Sequence, residues 1–288
     1  MENINRREFI KKVGLGIGAT LIPKELSALK ENKESLNKYT EFKPTREKFK
    51  NGEFVYSVES EGSRVGEFWP VKGINLVTKE TDPQIFSGDL SDINTNLKGV
   101  ATAPDGMSAG SLGNYKMEGK SLSNGRECGD GNIPNYGIVL VKKGFDITFT
   151  HKKEILDFQN FYNEAKNNKN TLFFLPSIYR NGNFLDSKNF IDKILIRREN
   201  PNNATQIGVI LFDSPISGND AREIVLGLDR NDQQGKSISK TTHIYVLDGG
   251  PNWGGSLKEV YRDNQKTPEL IEKGTRDPEV VTNYLVFY

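Results

Sequence analysis

A series of short apolar runs, rich in β-branched and aromatic residues, constrains this chain more than any other feature. They cover residues 54–58, 74–78, 137–141, 146–150, 171–175, 193–196, 207–212, 243–247 and 282–287. Each is too short for a stable isolated helix and has the composition of a strand. Residues 142–144, Lys-Lys-Gly, separate two of the runs as a hairpin turn would. Helical spacing is rarer. Residues 153–167 carry Ile155, Phe158, Tyr162 and Ala165 on one face, and residues 219–228 carry Ala221, Ile224, Val225 and Leu228, with Ser217 or Asn219 as cap. Thr267-Pro268-Glu269 before Leu270-Ile271, closing at Gly274, predicts a third helix. Residues 257–262 read as a short fourth.

The order strand 207–212, helix 219–228, strand 243–247 is a crossover unit and predicts parallel neighbours in a sheet. Upstream, strands dominate and hairpins are expected. The fold class is therefore α/β (α+β): a mixed β-sheet flanked by helices, in a single catalytic-type domain over residues 52–288.

The N-terminus reads as an address. Asn5-Arg6-Arg7-Glu8-Phe9 leads through Lys11-Lys12 into the Gly-rich apolar stretch 13–23. Paired arginines before a short apolar run resemble a twin-arginine export signal over residues 1–28, and imply the export machinery as a partner and a periplasmic or secreted destination. An amphipathic first helix would use the same residues. The apolar run is too short to span a bilayer, so no transmembrane anchor is expected. Residues 29–51, rich in Lys, Glu and Asn, read as a polar linker.

Composition removes several functional classes. Lys and Arg number 39 against 38 Asp and Glu, without the basic excess of a nucleic-acid binder. With one cysteine and two histidines, no internal disulfide can form and a zinc site is all but excluded. Any metal would be a hard, oxygen-ligated ion such as Ca²⁺ or Mg²⁺. His151 and His243 read as structural, and Cys128, in a polar loop, as a tolerated surface thiol. No Gly-x-Ser-x-Gly motif supports serine catalysis.

Chemistry concentrates in residues 242–256, Thr-His-Ile-Tyr-Val-Leu-Asp-Gly-Gly-Pro-Asn-Trp-Gly-Gly-Ser. An apolar strand ends in Asp248, and Gly249, Gly250, Gly254 and Gly255 follow. Glycines let backbone N–H groups approach an anion closely, and ligands collect at the ends of strands in such folds. A flexible turn capped by Asp248 is the structural alternative.

That Leu-Asp-Gly-Gly run resembles the signature of the phosphodiester glycosidase family, whose members include the enzyme that removes N-acetylglucosamine from a phosphodiester to uncover mannose 6-phosphate. The similarity extends to Asn135-Tyr136-Gly137, to residues 174–184 as a small hairpin, to Thr205-Gln206-Ile207-Gly208 and to Asp213 with the helix after it. It covers residues 74–257. One departure lies at Gly99-Val100-Ala101-Thr102-Ala103-Pro104-Asp105-Gly106, where Thr102 stands near the place of the family's Asn while Pro-Asp-Gly is kept. The longer loop of residues 249–256 is another.

The resemblance implies hydrolysis between the anomeric carbon of a sugar and a phosphate oxygen. Asp248 is the central carboxylate, as acid/base or as ion ligand, with Asp105 and Asp213 as further catalytic candidates. Gly249, Gly250, Asn252, Gly254, Gly255, Ser256, Thr102 and Arg180 form the implied substrate-binding set, with Trp253 stacking on a sugar. Two readings stay open beside it: a catalytically silent glycan-binding envelope protein on the same scaffold, and a calcium-stabilised secreted protein.

Overall fold

Strands that are apolar on both faces need cover on both faces, and the computed structural model supplies it in layers. It describes residues 39–49, 52–78, 80–81, 100–102, 107–108, 116–117, 119–143, 145–184, 191–200, 205–234, 239–247, 256–262, 267, 269–273 and 283–288. The strands run β1 (Thr40–Phe49), β2 (Phe54–Ser60), β3 (Ser63–Pro70), β4 (Ile74–Thr78), β5 (Val100–Thr102), β6 (Met107–Ser108) and β7 (Lys116–Met117). Then come β8 (Ser121–Ser123), β9 (Arg126–Cys128), β10 (Gly137–Lys142), β11 (Asp146–His151), helix α1 (Phe158–Asn167), β12 (Thr171–Leu175), β13 (Ser177–Arg180) and β14 (Asn183–Phe184). The chain closes with β15 (Ile191–Glu199), β16 (Thr205–Ile216), helix α2 (Gly218–Gln234), β17 (Lys240–Val246), β18 (Ser256–Tyr261), β19 (Glu269–Lys273) and β20 (Asn283–Phe287).

The large sheet orders its strands β14-β13-β17-β15-β16-β3-β2-β1-β18-β5-β20-β4, with β19 on β18. A five-stranded sheet runs β11-β10-β12-β8-β9, and β6 pairs with β7. Side-chain alternation assigns the faces. Tyr245 of β17 and Leu247 just after it join a core that also holds Val139, Val141, Phe173 and Leu175 of the small sheet. Ile244 and Val246 point the other way, into a core with Ala221, Ile224 and Val225 of α2. The small sheet's outer residues, Ile138, Leu140, Leu172 and Phe174, pack with Tyr162 and Ala165 of α1. The layering is helix, small sheet, large sheet, helix. Strands in the two middle layers are buried on both sides, which is why they read as continuous apolar runs.

The fold is α+β and dominated by sheet. Every strand pairing among the described residues is antiparallel, so the expected parallel neighbours are absent. The crossover does exist: β16, α2 and β17 follow in order, and β16 and β17 both pair antiparallel with β15 between them. The two strands joined by the helix thus run parallel, but one strand apart.

Four expectations are corrected. Cys128, expected at the surface, is buried at the end of β9 and packs into the core. Where helices were expected over residues 257–262 and from Thr267 to Gly274, the chain forms strands β18 and β19, paired from Ser256↔Lys273 to Val260↔Glu269. Local helix signals over five or six residues are weak beside a complete ladder of backbone hydrogen bonds. Part of the expected linker, Thr40–Phe49, is strand β1, paired along β2 and touching β18 at Lys48 and Phe49. Its mostly polar pattern hides the strand. The expected helix 153–167 is a 3₁₀ turn at Lys152–Glu154 followed by α1, which Asp157 caps through the Asn160 N–H at 3.0 Å.

Buried charge ties distant elements together. Lys258 of β18 donates to Glu47 at 2.7 Å and Glu67 at 2.8 Å, and Glu67 also accepts the Trp69 indole N–H at 3.1 Å. Asp229 of α2 accepts from Arg198 at 3.1 Å and from the Thr241 amide at 2.8 Å, fastening the helix to β15 and β17.

Candidate functional site

β12 belongs to the small sheet and β13 to the large one, and only Pro176 separates them. At that crossing the two sheets part, leaving a cavity of about 210 Å³. The large sheet contributes Ser177 and Arg180, and Pro176 forms the corner. Asn135, Tyr136, His151 and Lys153 close it from the small sheet's end. Pro176 accepts the Val246 amide at 2.8 Å, and the Leu247 amide bonds Lys193. The strand that leads to Asp248 therefore passes the cavity's corner two residues before that carboxylate.

Arg180 thus lines the cavity. It lies opposite His243 in the β13–β17 pairing and is half-buried, with Nη1 3.3 Å from the Glu154 carboxylate. Thr102 and Ser256, far apart in sequence, face each other across the β5–β18 pairing. Asp105, Asp248, Gly249, Gly250, Asn252, Trp253, Gly254 and Gly255 lie outside the described residues. Asp213 does not end a strand, as β16 continues to Ile216. It is exposed and holds the Arg64 guanidinium at 3.0 Å, on the far side of β15 and β17 from Arg180. The structure gives it an ion pair rather than a place in the cavity.

His151, read from sequence as structural, does two things. Its Nδ1 accepts the Lys153 amide at 3.2 Å, capping the 3₁₀ turn, and its ring forms part of the cavity wall. Glu154 completes the cap by accepting the His151 amide at 3.0 Å. Burial first, and then the Arg180 charge, hold His151 below its ordinary pKa, against the pull of Glu154 and a hydrogen bond to the Asn135 backbone.

Behind this wall sits His243, between the rings of Phe149 and Tyr245, each 5.6 Å away. Burial, with the charges of Arg197 and Arg180 adding to it, pushes His243 down to about 4. Tyr245 is raised by burial and donates its hydroxyl to the Thr150 carbonyl at 2.7 Å. Its ring lies over Gly137, where a Cβ would come within 2.5 Å of it. Glycine lets the two sheets close at this point.

Among the described residues, no group of three or more His, Cys, Asp or Glu side chains is placed to hold a metal ion. No helix among them is long and apolar enough to cross a membrane.

No family model matches the chain, and no curated protein matches it.

Sequence reasoning missed Asn135, Tyr136, His151 and Lys153 as cavity residues. The available signal was Pro176 directly after the apolar run 172–175 and before Ile178-Tyr179. A proline there interrupts strand pairing and marks where a chain can leave one sheet for another.

Proposed function

We propose that this protein is an exported hydrolase that cleaves the sugar–phosphate bond of a sugar-1-phosphodiester. One observation carries the reading. Arg180, which the resemblance to the phosphodiester glycosidases implicates in substrate binding, lines a cavity beside β17, the strand that runs straight into Leu247-Asp248-Gly249-Gly250. The pairing of Thr102 with Ser256 adds support, since it places the altered Asn region next to the end of that glycine-rich segment.

The chemistry assigned is addition of water across the bond between the anomeric carbon and the phosphate oxygen. The C–O bond breaks, the phosphate oxygen leaves with a proton, and the hydroxyl of water joins the sugar. Asp248 is the carboxylate for proton transfer. Backbone N–H groups of Gly249 and Gly250 and the cation at Arg180 serve the phosphate. Twin-arginine export and a periplasmic or secreted location belong to the same proposal.

The test is release of free sugar from UDP-N-acetylglucosamine and a panel of sugar-1-phosphodiesters, with and without added Ca²⁺ or Mg²⁺. Turnover supports the hydrolase. No turnover on any member by folded protein would leave a silent glycan-binding protein, which the Thr102 departure favours.

A further inference from the structure

The cavity at the Pro176 corner has a charge pattern that its size turns into a preference. Among the described residues its lining includes two cationic side chains, Lys153 and Arg180, and no carboxylate. The nearest acid known to touch this group is Glu154, and its oxygens are already engaged. Oε2 accepts from the His151 amide at 3.0 Å and the Thr150 hydroxyl at 3.2 Å. Oε1 stands 3.3 Å from Arg180 Nη1, an ion-pair distance at which no aligned hydrogen bond forms. Nη1 is nevertheless buried and has no hydrogen-bond acceptor among the described residues. A buried guanidinium nitrogen in that state gains from an anionic oxygen brought to it.

The neighbouring groups favour the same ligand. His151 is fixed by its Nδ1 bond to the Lys153 amide and by a hydrogen bond to the Asn135 backbone, so it serves as a rigid neutral wall. Ser177 and Asn135 bring further polar groups to the lining. At about 210 Å³ the space is smaller than the roughly 300 Å³ at which pockets for drug-sized ligands begin. It suits a phosphoryl group with the first atoms attached to it, and not a disaccharide.

We propose that this cavity is a phosphate subsite, with Arg180 and Lys153 as its specificity-determining residues. The inference deepens the hydrolase reading and rests on it for the identity of the natural ligand: the phosphodiester of the substrate enters here, and neutral glycosides are refused.

The experiment measures binding of inorganic phosphate, UDP-N-acetylglucosamine and methyl N-acetylglucosaminide to the full chain by calorimetry, for wild type, Arg180→Gln and Lys153→Gln. Lys153 is exposed, so its variant is expected to fold normally. Phosphate and the nucleotide sugar should bind and compete, and the neutral glycoside should displace neither. Arg180→Gln should weaken both by about tenfold or more, the loss of one charged hydrogen bond, and Lys153→Gln by a smaller factor. Affinity for phosphate unchanged within about twofold in both variants would overturn the subsite, as would equal binding of the neutral glycoside. The two failures separate. Phosphate binding without hydrolysis refutes the enzyme and keeps the subsite. Hydrolysis with unaltered KM in both variants refutes the subsite and keeps the enzyme.

Discussion

Replacing His243 by glutamine should remove much of the fold's sensitivity to acid. The imidazole is buried between Phe149 and Tyr245, with Arg197, Arg180 and Glu154 as its charged surroundings, and is pushed down to about 4 from 6.5. A histidine lowered on folding binds fewer protons in the folded state than in the unfolded one between those two values. Its contribution is therefore fully present above about pH 6.5 and is lost as the pH falls towards 4. Each pH unit of difference is worth about 1.4 kcal/mol, so the whole interval corresponds to about 3 kcal/mol. Between about pH 7.5 and about pH 4.5 the wild type should lose about 2.5 kcal/mol through this one residue. His151, also lowered by burial and by Arg180, acts with the same sign, but it is present in both proteins and cancels in the comparison. Urea unfolding at the two pH values, for wild type and His243→Gln, reads the difference directly. The variant lacks the imidazole nitrogen that stands 3.0 Å from the Thr242 hydroxyl, which keeps the Arg197 carbonyl at 3.3 Å, and its loss on acidification should be smaller by about 2.5 kcal/mol. Equal losses within about 0.5 kcal/mol would refute the reasoning.

Other substitutions address the layers around the cavity. Gly137→Ala would drive a methyl into the Tyr245 ring at 2.5 Å and should cost about 1–3 kcal/mol in urea unfolding; an unchanged midpoint would mean the sheets are not closed at that point. Asp229→Ala takes the carboxylate from the buried guanidinium of Arg198, 4% exposed, leaving it Gln206 at 3.1 Å, and should cost about 3–5 kcal/mol, whereas a loss below about 1 kcal/mol would show that the charge is compensated without Asp229. Removing Arg64 from its exposed partner Asp213 should leave turnover within about twofold, since surface ion pairs contribute little; a hundredfold fall would return Asp213 to the catalytic group.

The strands were legible where apolar residues ran unbroken, because layers on both faces demand apolar side chains at every position. β12 is buried throughout, and its run reads directly. Strands with charge turned inward were not legible. Lys258 is buried between the carboxylates of Glu67 and the partly exposed Glu47 and sits where an apolar residue would have marked the alternation of β18. Glu67 does the same to β3, whose Gly66 and Glu67 break the apolar pattern although both are buried. Those residues are satisfied by one another across distant strands, which no local window can contain. The cavity was half legible for the same reason. Arg180 stands in a recognisable hairpin, but Lys153 and His151 reach it only because the chain changes sheets at Pro176.

The central claim is that the strand β17 delivers a working carboxylate at Asp248. Its most direct measurement is the rate of sugar release from the best phosphodiester substrate by wild type and Asp248→Ala, with circular dichroism confirming that both are folded. The account predicts a fall in kcat of at least about a hundredfold in the variant, the usual contribution of a positioned proton-transfer group. Turnover at the wild-type rate by folded Asp248→Ala would contradict it.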